Sequence, residues 1–451
     1  MLSAGQRTGA LIALVLGIAA PPALAERTVL VIGDSLSREY QFEFPGFENA
    51  RNWVELLAVH RGEDISFGDL GEVPLPGLEF VCDIFGGDLC DALGNGERPL
   101  MRYRYNWAIP TFSADNYRDN LTGSGLVEQA FQVLIEPDFE VVDTVVVFIG
   151  GNDLDSVYGG IYEGEHTPNP IIRDLTDDLE DIVDYVRDQG SDLEIVLVNV
   201  PHVGATPEVK GDHPTDPVKT TRVTDGLIQL NSELEAFANS RGIAYADIAT
   251  LTIDLLEPDT YCIGGLEFFN AGTESGATEF LWLGGQISQN FHPNTNGQAL
   301  IANSIIAALN TTYGAGIEPL GNREILESVL ALSADMPFAD WAAGFGLASG
   351  EAGPNDDPEG DGLVNLIEFA LDLHPGQSDT HELPEPVMAG DALSLTFAPR
   401  DPECTYVRIV GEASGNAESW ASTSDPIDNG DETWTVSTSE NFLRLRVEVV
   451  E

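Results

Sequence analysis

Three short blocks carry residue types that can do nucleophilic chemistry. The first is Gly33-Asp34-Ser35-Leu36-Ser37, which follows the apolar run TVLVI (Thr28–Ile32) directly. A serine hydroxyl is a poor nucleophile until a base takes its proton. The second is Ile149-Gly150-Gly151-Asn152-Asp153, again straight after an apolar run, TVVVFI. An asparagine amide there can donate a hydrogen bond to developing negative charge. The third is Asn290-Phe291-His292-Pro293-Asn294, just ahead of an apolar helical pattern over Ala299–Leu309. Its imidazole can serve as general base. Each block alone also reads as an ordinary turn closing a strand or opening a helix. Together they supply a hydroxyl, its base and a donor for an oxyanion.

A fourth pattern points to a metal. Asp357 to Glu368 (DPEGDGLVNLIE) puts oxygen donors at positions 1, 3, 5, 9 and 12, a glycine at 6 and a backbone carbonyl at 7. That register curls six or more oxygens around one hard cation. The ligands expected are Asp357, Glu359, Asp361, the Leu363 carbonyl, Asn365 and Glu368, and the cation is Ca²⁺ in a structural role. Glu359 departs from the usual shorter Asp or Asn at position 3. The plain alternative is an acidic turn in an acid-rich chain.

These residues need elements to position them. Thr28–Ile32, Thr144–Ile149, Leu193–Val200 and Ile243–Ile248 read as buried strands. Ile171–Arg187 and Thr224–Arg241 lie between them with apolar residues at helical spacing, and Gly190 and Gly242 follow as stops. Apolar strands alternating with helices imply a parallel sheet covered on both faces. Chemistry in such folds sits past the carboxyl ends of the strands, where Ser35 and Asn152 fall. After Thr312 the pattern changes. Residues 313–335 read as linker and helix, 336–376 as short helices around the acidic loop, and 386–451 as a small antiparallel β domain (LSLTF, TYVRIV, TWTVS, FLRLRVEVV).

In this order the three blocks resemble the SGNH or GDSL hydrolase superfamily, and more narrowly its lipase-like branch. Tyr105-Asn106-Trp107-Ala108, Asn199-Val200-Pro201-His202-Val203-Gly204 and Pro258-Asp259-Thr260-Tyr261 fit the same branch, so the resemblance covers residues 28–312. It implies a flavodoxin-like three-layer α/β/α domain over 26–312 and ester hydrolysis through an acyl-serine, with no catalytic cofactor. By position, Ser35 would be the nucleophile and His292 its base. The Ser35 N–H and Asn152 side chain would line the oxyanion hole. The acidic loop resembles dockerin-like or EF-hand-like modules.

Two positions depart from the family pattern. Three residues before the histidine, where an aspartate is usual, stands Gln289. Its amide can orient the imidazole but supplies no charge, and loss of that charge costs about 10⁴ in rate in a Ser-His-Asp enzyme. A Ser-His dyad, or a carboxylate from elsewhere, is the alternative. In the second block Thr111 stands where a glycine is expected, as a further oxyanion donor through its N–H. A lost donor costs about 10²–10³ in turnover.

Composition and termini bound the partners. The chain of 451 residues has 75 acidic and 20 basic side chains, a net charge of −55, and its only lysines are Lys210 and Lys219. Such a surface repels phosphate backbones, which excludes nucleic acid. Arg7, the apolar stretch Ala10–Ala20 and Ala23-Leu24-Ala25 form a secretory signal over residues 1–25, too short to span a bilayer. The protein is expected to be secreted, periplasmic or at the cell surface, with no transmembrane helix. Cys82 and Cys90 flank a glycine-containing turn and are expected to pair, while spacing leaves Cys262 and Cys404 either free or bonded. The substrate classes left open are short-chain esters, acyl lipids and acetylated glycans. A second function remains in view: a non-catalytic surface or carbohydrate-binding protein with a degraded hydrolase domain.

Overall fold

The computed structural model describes residues 26–43, 48–72, 101–273, 277–284, 290–390, 392–400, 404, 406–430 and 433–449. The signal-like segment, Cys82, Cys90 and Gln289 lie outside them.

A five-stranded parallel sheet forms the centre. Its strands are β1 (Arg27–Gly33), β2 (Ile65–Ser66), β5 (Thr144–Phe148), β6 (Glu194–Val198) and β7 (Ala244–Ala246), in the order β2-β1-β5-β6-β7. An antiparallel pair of β3 (Leu70–Glu72) and β4 (Met101–Tyr103) lies beside it. Successive side chains point to opposite faces of a strand, and both faces are apolar here. Val29, Val31, Val146, Phe148, Val196 and Val198 pack on one side with α1 (Trp53–His60) and α7 (Thr295–Tyr313). Leu30, Ile32, Val145, Val147, Ile195 and Leu197 pack on the other with α2 (Ala114–Thr122), α3 (Leu126–Phe139), α4 (Gly151–Glu163), α5 (Pro168–Gln189) and α6 (Lys219–Arg241). This double burial explains why the strands read as continuous apolar runs rather than alternating ones.

A second sheet follows, of β8 (Thr260–Ile263), β9 (Leu266–Thr273) and β10 (Phe280–Leu283), with β9 antiparallel to β8 and parallel to β10. It delivers the chain to the histidine block. The segment after α7 has irregular backbone but is not a free linker. Ala315, Ile317 and Leu320 are buried in the domain core, and Asn310 and Asn303 exchange hydrogen bonds with the backbone of Ile317 and Leu320. The helix expected within residues 313–335 is broken into Asn322–Glu324 and a wide turn over Ile325–Val329.

Beyond it, α8 (Met336–Gly344) and the short α9 (Asn365–Ala370) flank the acidic loop. The tail comprises two small antiparallel sheets. One has β11 (Val387–Ala389), β12 (Ala392–Phe397), β15 (Ile427–Asp428) and β16 (Trp434–Thr438); the other has β13 (Val407–Ser414), β14 (Ala421–Ser422) and β17 (Phe442–Val449). Phe338, Trp341 and Phe369 of the helices share one core with Leu395, Phe397, Tyr406, Ile409 and Val436 of the sheets. The helical segment and the β segment are therefore held by the same apolar burial.

Cys262 on β8 and Cys404 just before β13 form a disulfide, 142 residues apart in sequence. The tail backbone also lies hard against the β8–β9 turn. A Cβ on Gly265, whose φ is +84°, would meet Tyr406 backbone atoms at 2.6 Å. Closing so long a loop should stabilise the folded tail by about 2–4 kcal/mol. Cys262→Ser with Cys404→Ser is expected to lower the tail's melting transition, and non-reducing peptide mapping should recover the 262–404 pair. An unchanged melting profile in the double variant would remove the bond from the account of stability.

Candidate active site

Ser35 sits in the turn past the carboxyl end of β1, half-buried. The turn is built by its neighbours. Asp34 accepts from the Leu36 N–H at 2.9 Å through its side chain and from the Ser37 N–H through its carbonyl. Gly33 has no room for a side chain, since a Cβ would come within 2.8 Å of Ser37 Oγ. Trp53 Nε1 donates to Ser37 Oγ, and Asn106 Nδ2 donates to the Ser37 carbonyl. Asn106, from the Tyr105–Ala108 block, thus fastens the serine loop from one side.

Gln298 fastens it from the other. It is fully buried on α7 and donates to the Leu36 carbonyl and to Tyr40 Oη, while its Oε1 accepts from the Trp53 N–H. His292 lies six residues earlier, where the chain runs from β10 into α7. Its carbonyl accepts from Leu283 N–H at 2.8 Å, Asn294 N–H donates to the Leu281 carbonyl, and Asn294 caps α7. The buried imidazole packs edge-on against Tyr40, with ring centroids 6.1 Å apart. Gln298 and Tyr40 therefore bring the serine loop and the histidine segment to one place. No hydrogen bond joins Ser35 to another described residue.

Asn152 opens α4 past the end of β5, and Gly150 (φ +120°) makes the sharp entry. A Cβ on the adjacent Gly151 would lie 3.8 Å from Asp34 Oδ2, so this block borders the serine loop. Asn152 Nδ2 donates to the Phe112 carbonyl at 2.8 Å. An amide nitrogen has two hydrogens, and this bond uses one. Next to Phe112, Thr111 has φ +67°. The left-handed region suits glycine and strains a β-branched residue. Thr111 thus stands in a backbone conformation that favours glycine.

Three acids are buried under the serine loop and beside it, and Asp153 is half-buried next to them. Asp34 is pushed up to about 7, chiefly by burial, with the Leu36 N–H opposing and Asp153 adding to the rise. Glu55 also reaches about 7 through burial, although the Asn52 and Tyr40 N–H groups donate to it. Asp153, bonded to the Ala114 N–H, is raised to about 6 by burial. Glu39 is fully buried and accepts from the Tyr103 N–H. None of these was singled out from sequence, and neither were Gln298 and Tyr40. An acid or amide inside a helical pattern carries no local mark of burial.

The acidic loop is held by its own first residue. Asp357 accepts from the Gly360, Asp361 and Gly362 N–H groups, and Gly360 and Gly362 have φ of +74° and +97°. Asp357, Glu359 and Asp361 each offer a carboxylate oxygen within 4.8 Å of the others. Both oxygens of Glu359 and of Glu368, the Asn365 Oδ1 and the Asp379 Oδ1 are buried without hydrogen-bond partners. Glu368 and Asn365 are 0% exposed and Asp379 is 6%. Burial, then Glu359, Asp379 and Asp361, push Glu368 up to about 8. Unpartnered buried carboxylates are costly, and a divalent cation offsets that cost with the oxygen ligands it requires. Asp379 lies beyond the twelve-residue register, so spacing could not find it. Its N–H donates to Asp361 Oδ2, which ties it to the loop.

The family of GDSL-like lipase/acylhydrolase matches residues 29–305. No curated protein matches the chain. Among solved structures, the chain is similar to a putative GDSL-like lipase from Parabacteroides merdae, at 12% identity and TM-score 0.32, covering 63% of this chain and 96% of that one. It is also similar to an acetyl esterase mutant with an acetate ion, at 11% identity and TM-score 0.31, covering 63% and 97%.

The raised acids set a pH dependence. Asp34 and Asp153 start from 3.8 and Glu55 from 4.5 in the unfolded chain. Between those values and about 6–7 the native state holds protons that the unfolded chain has shed. Their contribution is full below the unfolded values and is lost as pH rises through about 7. The domain's melting temperature should therefore fall from about pH 5 to pH 8. The slope should persist in about 0.5 M salt, because buried groups are screened least. A slope that vanishes in salt would assign it to surface repulsion.

Proposed function

The chain belongs to the GDSL-like lipase/acylhydrolase family, and we propose that it is an exported serine esterase acting through an acyl-serine. The observation that carries the reading is the meeting of the serine loop, the Asn152 turn and the His292 segment at one edge of the sheet, from positions more than 100 residues apart. Ser35 Oγ attacks the ester carbon as His292 takes its proton. The oxyanion that forms accepts from the Ser35 N–H, the second Asn152 Nδ2 hydrogen and the Thr111 N–H. Phe112 holds the Asn152 amide at a fixed angle, so its dipole needs no reorganisation during reaction. The protonated His292 gives its proton to the leaving alcohol, and water then attacks the acyl-serine by the same path. Gln289 orients the imidazole.

Export is supported by the signal-like residues 1–25 and by the Cys262–Cys404 bond, which suits an oxidising compartment. Among the described residues no helix is long and apolar enough to cross a membrane. In the tail, Asp357, Glu359, Asp361, the Leu363 carbonyl, Asn365, Glu368 and Asp379 hold a structural Ca²⁺, supported by the orphaned buried oxygens.

Two experiments test these readings. Ser35→Ala should abolish hydrolysis of a short p-nitrophenyl ester, and His292→Ala should nearly do so. Asn152→Ala should lose about 3–4 kcal/mol of transition-state stabilisation. Gln289→Asp should raise turnover if the imidazole lacks a charged partner and leave it flat or lower if a carboxylate already serves it. Full activity in Ser35→Ala overturns the mechanism. For the metal, chelation should lower the tail's melting transition and spare esterase activity. A hundredfold excess of Ca²⁺ over its Kd stabilises by about 2.7 kcal/mol. Asp379→Asn should weaken Ca²⁺ binding in calorimetry, and a tail transition indifferent to chelator would end the metal assignment.

A further inference from the structure

The turn that carries Thr111 has two geometries open to it. Ile109-Pro110-Thr111-Phe112 closes on itself, with the Phe112 N–H donating to the Ile109 carbonyl at 3.3 Å. Proline in the second place and a φ of +67° in the third form the type II pattern. That pattern asks for glycine or asparagine in the third place; most other residues prefer type I, which keeps φ negative there. The two forms differ by about half a turn of the central peptide, here Pro110–Thr111. The N–H on that peptide is the one Thr111 offers to the oxyanion hole, and a flip to type I points it away.

Strain of this kind persists only where the surroundings over-determine it. The first residue of the turn is held at the end of β1. The Ile109 N–H donates to the Gly33 carbonyl at 2.9 Å, and Tyr117 Oη of α2 donates to the same oxygen at 2.8 Å. The last residue is held at α4, where Asn152 Nδ2 donates to the Phe112 carbonyl. Two residues on, the Ala114 N–H donates to both carboxylate oxygens of Asp153, at 3.0 and 3.2 Å. Ala114 opens α2, so its N–H has no partner within the helix. The carboxylate is kept there at a cost to its charge: burial, with Asp115 and Asp178 nearby, pushes it up to about 6 against the pull of the Ala114 N–H.

Resting on the esterase reading above, we propose that Asp153 is a positioning residue: by gripping the Ala114 N–H it holds the Ile109–Phe112 turn in its type II form and keeps the Thr111 N–H aimed into the oxyanion hole. It acts through the backbone, not on the reacting atoms. Asn152 and Asp153 are consecutive, and they grip the chain on either side of Ser113. The start of α4 thus supplies one donor directly and fixes a second through this clamp. Without Asp153 the strain at Thr111 is relieved by the flip, and the hole is complete in fewer molecules.

The test uses the mature protein and p-nitrophenyl acetate. Asp153→Ala should lower kcat about ten- to a hundredfold, part of what a whole oxyanion donor is worth, while KM moves less than about threefold. Asp153→Asn keeps an acceptor oxygen for Ala114 and should hold kcat within about threefold. The deciding measurement repeats Asp153→Ala in a Thr111→Gly background. Glycine takes positive φ without strain, so the same substitution should there cost about threefold or less. A residue that merely supports the fold would cost the same in both backgrounds. If Asp153→Ala does not fold, Ala114→Pro removes the same bond from the other side. Proline suits the first helical position, and the extended Ser113 before it accepts a following proline. That variant should show the same loss and the same relief. Equal losses in the two backgrounds, an undiminished kcat in a folded Asp153→Ala, or a Thr111→Gly protein without activity each overturns this inference and leaves the esterase reading intact. No hydrolysis by the unaltered protein, or full activity in Ser35→Ala, sinks that reading and this one with it.

Discussion

A buried amide must find partners for its polar atoms or cost the fold their desolvation. Gln298 meets that demand only if three segments converge: the serine loop at Leu36, the Tyr40 hydroxyl and the first residue of α1 at Trp53. The residue lies one and a half turns or so beyond His292 on the adjoining helix. Satisfying one side chain thus fixes the distance between the loop that carries the proposed nucleophile and the segment that carries its base. The rest of the site is arranged around this junction. Asn106 holds the far side of the same loop, and the Asn152 turn comes up against Asp34 from β5.

The acids beneath the loop follow from the same constraint. Backbone N–H groups in a tight turn after a strand have no ladder partner, and a carboxylate is the strongest acceptor available to them. Asp34 takes the Leu36 N–H, and Glu55 takes those of Tyr40 and Asn52. Burial outweighs these hydrogen bonds and raises the acids, so the fold loses stability as pH rises and charge has to form in a buried place. Here the chain's acidity is structural. On the remaining surface it is a matter of solvation and repulsion, with few basic residues to offset it.

What could be read from sequence was whatever local pattern specifies. Strands buried on both faces give continuous apolar runs: β5, β6 and β7 fall within the runs read as strands, and β1 extends one residue past its run at each end. The acidic loop could be picked out because a twelve-residue register is itself local, and Asp357, Glu359 and Asp361 do bring their carboxylates together. What could not be read depends on contacts across the fold. Cys262 and Cys404 are 142 residues apart, and only the docking of the tail on the β8–β9 turn brings them together. Asp379 reaches the loop from past α9, outside any register. Gln298 and Tyr40 look like ordinary residues of a helix and a loop until their burial is seen. Thr111 is intermediate. Its place was legible, but only backbone geometry shows it in the left-handed conformation a glycine would take.

The tail is physically continuous with the histidine segment. Cys404 is bonded to β8, which pairs with β9, which pairs with β10. The chain leaving β10 folds back so that Leu283 and Leu281 grip His292 and Asn294 through backbone hydrogen bonds. Contiguity of this kind does not by itself transmit a signal. It does supply stiffness where the site needs it. Ser35 and Asn152 come from the ends of central strands and inherit the rigidity of the sheet. His292 comes from a connection between a peripheral strand and a helix. A three-stranded sheet, stapled at its far strand to a second folded unit, gives that connection the support the central sheet gives the other two.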